Sequence, residues 1–177
     1  KFYAQVTAPV PFTIIGYPQA WTPGTAGLVK SDVVYVKIDS EADFARYQGT
    51  LRGKIVMLAP MRPVAARYEA TADSAALRQL QAQQAIAAKR QAFIANEQVA
   101  AILEPGRGDG GTVFTPNGAS RDPQKPATTP VITVAIEHYG RILRTLEKHI
   151  PVSMELDIRN TFYDADLTSF NILAEIP

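Results

Sequence analysis

The chain contains no cysteine, which excludes disulfide bonds and thiolate metal sites. Histidine is scarce too: His138 and His149 are the only two, and neither has a second ligand at the spacing of a helical zinc site. No apolar run reaches the roughly 18–20 residues that a membrane-spanning helix needs. The formal net charge of +1 creates no basic field for nucleic acid. We therefore expect no metal or cofactor in this chain, no nucleic-acid partner and no membrane span.

Motifs for nucleophilic or phosphate chemistry are also lacking. No Gly-x-Ser-x-Gly elbow is present. Residues 106–111 (Gly-Arg-Gly-Asp-Gly-Gly) match G-x-G-x-x-G, but that fingerprint needs a helix immediately afterwards, and the following Thr-Val-Phe-Thr-Pro cannot open one. We interpret this run as a surface loop and its Arg-Gly-Asp tripeptide as a chance match. The residues therefore predict no catalytic site, and the chain by itself is not expected to be an enzyme.

The chain does contain a short buried strand. In residues 51–60, an uninterrupted apolar run over 55–59 lies between Gly53 and Pro60. A run that is short, β-branched at its start and bracketed by chain breakers is typical of a strand buried on both faces. Such a strand needs covering elements on each side, so it predicts the centre of a layered α/β core. The length of 177 residues fits one domain of this kind.

Other elements follow from periodicity and turn residues. Strict alternation over 152–159 predicts a strand with one solvent-exposed face. Trp21, the only tryptophan, is predicted to anchor the core. Ser40 and Asp43 form a variant capping box, which predicts a short helix ending at Gly49. Further strands are predicted over 12–15, 33–38, 99–103, 130–135 and 170–176, and further helices over 75–96 and 137–148.

A contact surface is predicted from the helix over 75–96 and the loop over 61–72. The helix is apolar on two sides, so it is either sandwiched within its own domain or in contact with a partner, and both interpretations stay open. The loop carries a small cluster of polar and aromatic side chains. The predicted contact surface comprises five residues: Arg62, Arg67, Tyr68, Ile86 and Phe93.

The order of elements resembles that of protease-associated domains. Residues 51–58 (Leu-Arg-Gly-Lys-Ile-Val-Met-Leu) look like the signature strand of that family. An alanine-rich helix, an Ala-Ala-Ile-Leu strand over 100–103 and a Pro-Val-Ile-Thr-Val strand with a helix over 130–148 follow in the family's order. The resemblance implies a mixed β-sheet with an open, barrel-like core flanked by two to three helices. Periodicity alone leaves a doubly wound α/β sheet as the alternative.

The last residues sharpen the resemblance. Residues 170–177 (Phe-Asn-Ile-Leu-Ala-Glu-Ile-Pro) are similar to the strand at which the catalytic domain resumes in two-zinc exopeptidases of the aminopeptidase and glutamate-carboxypeptidase superfamily. The resemblance implies a protease-associated domain over 1–169 and a strand leading into a catalytic domain over 170–177. In that family the zinc ligands lie on the catalytic domain, and none is carried over to this chain.

The resemblance implies a non-catalytic lid or insert in a secreted or periplasmic zinc exopeptidase. Its expected partners are the catalytic peptidase domain of the same chain and a peptide or protein substrate, which it would gate or position. The alternative is a free-standing interaction or ligand-binding module without a peptidase. Zinc-ligand motifs in the reading frame beyond residue 177 would distinguish the two.

Overall fold

The computed structural model of the chain describes residues 1–61, 86–115, 118–120, 122, 124–125, 127–163, 165–166, 168 and 170–175. The helices are α1 (Phe44–Tyr47), which follows a 3-10 turn over Glu41–Asp43, α2 (86–96) and α3 (Ile136–Glu147). None of the helices in these residues combines the length and the apolar content that crossing a bilayer requires. The strands are β1 (Phe2–Ala8), β2 (Phe12–Thr13), β3 (Gly16–Pro18), β4 (Val29–Tyr35), β5 (Ile55–Met57), β6 (Ala101–Pro105), β7 (Val131–Val134) and β8 (Val152–Ile158).

The eight strands form one mixed, curled sheet in the order β2-β1-β8-β4-β5-β6-β7-β3. The four strands from β4 to β7 are parallel, whereas β1, β2, β3 and β8 pair with their neighbours in antiparallel fashion. The predicted fold class, a mixed sheet with an open barrel-like core and three helices, is confirmed. The antiparallel strands at both ends of the curled sheet do not fit the doubly wound alternative.

Strand β5 lies between β4 and β6 and is buried along its whole length, as the sequence predicts. Ile55 and Met57 belong to one apolar cluster and Val56 to a second cluster on the opposite face of the sheet. Just before the strand, Gly53 adopts a φ of +69° and donates its N–H to the carbonyl of Gln98 at 3.0 Å. Glycine takes that left-handed conformation without the steric cost of a Cβ atom.

Each helix covers one of these clusters. Helix α3 packs onto the first cluster with Tyr139, Ile142 and Leu143, whose i, i+3, i+4 spacing places them on one face. The second cluster lies under α1 and α2, where Phe44 and Phe93 meet edge to face with ring centroids 5.0 Å apart. Both rings are partly buried, so each contributes less to folding than the roughly 1.5–3 kcal/mol of a fully buried side chain. The two clusters therefore stabilise the sheet from both sides.

Strand β8 alternates between buried and partly exposed residues over 152–156, as its sequence predicts, but Asp157 on the polar face is buried as well. Val152, Met154 and Leu156 are buried, whereas Ser153 and Glu155 are partly exposed. The polar face carries charged contacts, including a Lys30–Glu155 ion pair at 2.6 Å. Strand β8 belongs to the antiparallel part of the sheet, and antiparallel sheets commonly have one face in solvent.

Residues 12–18, here called the junction, connect the two ends of the sheet. The first half of the junction, β2, pairs with β1, and the second half, β3, pairs with β7. Between them, the N–H of Ile14 donates to the carbonyl of Ala4 at 2.9 Å, and the carbonyl of Ile15 accepts from the N–H of Ala135 at 2.8 Å. A single run of chain therefore holds both ends of the curled sheet.

Three features differ from the sequence prediction. Strand β1 was not predicted, and it pairs with β8 across the whole length of the chain. Trp21 is 42% exposed with a φ of +56°, so the predicted core anchor is wrong: in this turn after β3 the next residue, Thr22, is the buried one. Residues 170–175 lie outside the strands and are exposed. The predicted strand is therefore wrong for residues 170–175, which pair with neither edge strand, β2 or β3.

Candidate functional site

The carboxyl ends of the four parallel strands meet at one edge of the sheet, here called the carboxyl edge. Connections leave it after β4, β5 and β6, and α3 begins there directly after β7. In open α/β sheets, ligands bind at the carboxyl ends of parallel strands, where loops and helix N-termini present polar groups. We therefore treat this edge as the candidate functional site.

The glycine-rich loop after β6 is held by the first turn of α3. The N–H of Gly111 donates to Oε1 of Glu137 at 3.2 Å. The pKa of Glu137 is lowered, first by its own backbone N–H and then, against desolvation, by the N–H groups of Gly111 and Gly110. Helix N-termini favour such a negative charge. The N–H groups of Gly110 and Gly111, which a dinucleotide phosphate would need as donors, therefore interact with the Glu137 carboxylate of the protein itself.

The structure also lacks the helix of a dinucleotide fingerprint. Residues 112–115, which directly follow the glycine-rich loop, belong to neither a helix nor a strand. Gly108 lies so close to the backbone of Thr112 that a Cβ atom would come within 2.2 Å of its carbonyl oxygen. The loop therefore folds back on itself instead of opening a helix, in agreement with the interpretation of the sequence.

A buried polar bridge spans the last three strands of the sheet. The side-chain amide of Gln19 donates to Oε2 of Glu104 at 2.7 Å and to Oγ1 of Thr133 at 3.1 Å. Gln19 and Thr133 are both buried, so an unpaired amide or hydroxyl here would cost free energy of folding. The bridge connects the residue after β3 with β7 and β6. In it, Oε2 of Glu104 accepts a hydrogen bond from the protein itself.

Three of the five predicted contact residues lie outside the described residues: Arg62, Arg67 and Tyr68. The last residue described before them is Met61, which packs against the first apolar cluster. A Cβ atom on Gly140 of α3 would come within 3.0 Å of the Met61 sulfur, so Met61 lies tightly against α3. The prediction that these three residues form a contact surface stays a prediction.

Ile86 and Phe93, the other two predicted contact residues, lie on α2 and pack against the second apolar cluster of the same chain. The edge-to-face pairing of Phe93 with Phe44 is part of that packing. The sequence leaves open whether this helix packs on its own domain or contacts a partner. The side of α2 that carries Ile86 and Phe93 packs on its own domain. Whether they also touch a partner stays a prediction.

The two histidines differ in their surroundings. His149 is exposed just after α3, with a φ of +59°. His138 is only partly exposed, and its ring meets Phe12 edge to face at 5.2 Å while Nδ1 accepts the N–H of Ile15 at 3.0 Å. Although His138 lies in the first turn of α3, where the sequence favours a solvent position, it therefore contacts residues 12 and 15 instead. In the described part of the chain, no three His, Cys, Asp or Glu side chains are grouped so that they could hold a metal ion.

One hydroxyl, carboxylate and amine lie together on the solvent face of the sheet. Ser153 Oγ donates to Asp32 Oδ1 at 3.0 Å, and Lys54 Nζ donates to Asp32 Oδ2 at 2.7 Å. Hydrogen bonds from Lys54 and then Ser153 lower the pKa of Asp32. A carboxylate of lowered pKa is a weak base, so it does not activate the hydroxyl. The arrangement is an exposed salt bridge rather than a nucleophilic site.

Exposed aromatic side chains were not predicted as site residues. Tyr17 on the edge strand β3 is 58% exposed, and Phe114 beyond the glycine-rich loop is 62% exposed. The sequence gives little indication that these aromatic residues are exposed. An aromatic residue of a strand can be assigned to the surface only once the edge strands are known. Single exposed apolar residues are ordinary on protein surfaces, so these two do not define a site.

Comparison with solved structures relates the fold to peptidases. The chain is similar to a peptidase M28 precursor from Shewanella amazonensis SB2B, with a TM-score of 0.56 at 14% identity. It is also similar to an aminopeptidase from Aneurinibacillus sp. strain AM-1, with a TM-score of 0.56 at 13% identity. Each match covers 89% of this chain but only 34% and 30% of the two solved chains, so this chain spans about a third of their length. No model of a protein family and no curated protein sequence matches the chain.

Proposed function

We propose that this chain is a non-catalytic accessory domain, of the protease-associated type, in a zinc-dependent exopeptidase of the M28 class. The zinc ions and their ligands would belong to a catalytic domain elsewhere in the parent protein. The accessory domain would cover or border the active site and limit or position peptide substrates. The parent enzyme would act outside the cell or in the periplasm.

The observation that carries this proposal is the unequal coverage of the structural match. Nearly all of this chain corresponds to about a third of two solved chains that are named as a peptidase and an aminopeptidase. A fold that takes up part of a longer peptidase chain is what an accessory domain requires. Fold alone does not fix function, so the chemistry of the surface has to agree with it.

The chemistry of the carboxyl edge supports the proposal. At this edge, Glu137 accepts a hydrogen bond from the N–H of Gly111, and Glu104 accepts one from the side-chain amide of Gln19. A catalytic base needs a free lone pair within hydrogen-bond reach of the substrate. The groups described at this edge thus act in holding the fold, and the hydrolytic chemistry falls to the catalytic domain of the parent.

The predicted contact residues supply the proposed substrate contacts. Arg62 and Arg67 carry guanidinium groups, which bind carboxylates and main-chain carbonyls of a peptide in planar geometry. Tyr68 offers an aromatic surface with a hydroxyl. Because Met61, the last residue described before them, lies just after β5 at the carboxyl edge, substrate contact is proposed near that edge rather than on the polar face of β8.

The test uses the parent enzyme and a version from which the accessory domain, residues 1–169, is deleted. The flanking reading frame is expected to encode the His, Asp and Glu ligands of a two-zinc site. Deletion is expected to leave hydrolysis of short aminoacyl amides measurable while changing kcat/KM for longer peptides. A reading frame without such ligands, or a deleted enzyme with the same dependence on peptide length, would overturn the proposal.

A further inference from the structure

The junction over residues 12–18 is the place where the curled sheet is held together. Its β2 half is bonded to β1 at one end of the sheet, and its β3 half is bonded to β7 at the other. The link between the halves is only two residues long, Ile14 and Ile15. Any weakening at this link therefore acts on both ends of the sheet at once.

A histidine holds this link from the side. The N–H of Ile15 donates to Nδ1 of His138 at 3.0 Å, so Nδ1 must carry a lone pair and no proton. The neutral ring then carries its proton on Nε2. When a proton adds to Nδ1, the imidazolium presents an N–H to the N–H of Ile15, and the hydrogen bond is lost.

Phe12, at the start of the junction, contacts the same group of side chains. Its ring meets the ring of His138 edge to face at 5.2 Å, and the Arg141 guanidinium lies 4.2 Å from its centroid. One turn of α3 therefore contacts the junction through a hydrogen bond, an aromatic contact and a cation–π contact. A charged His138 would lie close to the Arg141 cation.

The charged groups that act on His138 are known. Within its own helix, Glu137 favours the imidazolium and Arg141 disfavours it. From the junction, Phe12 and Ile15 face it, and neither has a titratable group. Burial is the largest influence and lowers the pKa of His138 below its ordinary value.

We propose that His138 is a pH-sensitive latch on the junction: the neutral ring holds Ile15 in place, and the protonated ring releases it and loosens the join between β2 and β3. The direction follows from linkage. Because the pKa is lowered in the folded state, the unfolded chain binds the proton more readily. The contribution of the His138–Ile15 hydrogen bond to stability is fully present above the ordinary pKa of histidine. It decreases as the pH falls and is absent below the lowered pKa of His138 in the folded chain.

The test measures hydrogen exchange of individual amides by NMR between about pH 7.5 and pH 5, the range in which histidines titrate. In the wild-type chain, the protection factor of the Ile15 amide is expected to fall about tenfold, the size of one lost hydrogen bond. The Val36 amide, which donates to the Met57 carbonyl, serves as the internal reference and should keep its protection. The fall should share its midpoint with the titration of the His138 ring.

Two matched substitutions locate the effect. In His138→Asn, the side-chain oxygen replaces Nδ1 as an acceptor but does not titrate, so the protection of Ile15 should become independent of pH. His149→Asn is the control, because this histidine is exposed and asparagine tolerates its positive φ. That variant should behave as the wild type does.

The proposal is overturned if the Ile15 and Val36 amides of the wild type respond alike to pH. It is also overturned if His138→Asn keeps the fall, or if His149→Asn abolishes it. If His138→Asn does not fold, the wild-type titration decides alone: a midpoint for Ile15 that differs from that of the His138 ring rejects the latch.

Discussion

The hydroxyl of Tyr139 donates a hydrogen bond of 2.7 Å to the backbone carbonyl of Ala59. Tyr139 lies on the inner face of α3 and is completely buried, and Ala59 follows the central strand β5. Burial raises the pKa of this tyrosine well above its ordinary value, so its hydroxyl stays protonated and donates at neutral pH. This hydrogen bond thus fixes α3 to the residues that directly follow β5 at the carboxyl edge.

Removing this hydroxyl should destabilise the fold. We expect Tyr139→Phe to lower the free energy of unfolding by about 1–2 kcal/mol, because the Ala59 carbonyl loses its partner in a partly buried place. Urea unfolding measures the change. Tyr163→Phe is the control, since Tyr163 is 87% exposed and its substitution should cost less than about 0.5 kcal/mol. Equal stabilities of the two variants would contradict this role of the bond.

Phe93 tests whether α2 packs on its own domain. We expect Phe93→Ala to lower the free energy of unfolding by about 1–3 kcal/mol, because it removes the contact with Phe44 and part of the packing on the second cluster. Phe114→Ala removes the same side chain from an exposed position and should change stability by less than about 0.5 kcal/mol. If the two variants unfold at the same urea concentration, the packing of α2 described above is wrong.

Glu97, just beyond α2, holds the turn that follows α1. Its carboxylate accepts the N–H of Gly49 at 2.8 Å and the N–H of Leu51 at 3.2 Å. Glu97→Ala leaves both amides without this acceptor, and we expect a loss of about 1–3 kcal/mol in urea unfolding. Glu147→Ala, at an exposed position in the last turn of α3, is the matched control. A variant of Glu97 as stable as that control would show that water replaces the carboxylate without cost.

Glu137 fastens the glycine-rich loop. We expect Glu137→Ala to speed hydrogen exchange of the Gly111 amide about three- to tenfold, because the amide loses its acceptor. The same Glu147→Ala variant should leave that amide unchanged. In the wild type, the pKa of Glu137 is lowered, so this protection should persist above the ordinary carboxyl pKa and be lost as the pH falls through the lowered value. Protection of Gly111 that is independent of both substitution and pH would contradict the fastening.

The sequence predicts well those elements whose burial leaves a local pattern. The apolar run of β5, the alternation of β8 and the i, i+3, i+4 spacing of α3 each depend on which neighbours are apolar, and each appears where predicted. Strand β4 begins at Val29, four residues before the predicted start, because its first residues alternate with polar ones along the partner β8.

What the sequence could not give depends on contacts between distant residues. Strand β1 exists because β8, about 150 residues later, pairs with it, and its own composition is mixed. Trp21 is exposed while Thr22 beside it is buried and accepts the N–H of Val131, more than 100 residues later. The environment of His138 is set by Phe12 and Ile15, which lie more than 120 residues earlier in the sequence. No local pattern reports such pairings.

The central claim, that this chain is an accessory rather than a catalytic unit, is tested most directly by its own activity. The purified 177-residue chain is incubated with added zinc and a series of aminoacyl p-nitroanilides, and release of p-nitroaniline is followed beside a blank. Metal content is measured on the same sample after dialysis. We expect release equal to the blank and no stoichiometric zinc. Zinc-dependent turnover above the blank would contradict the account.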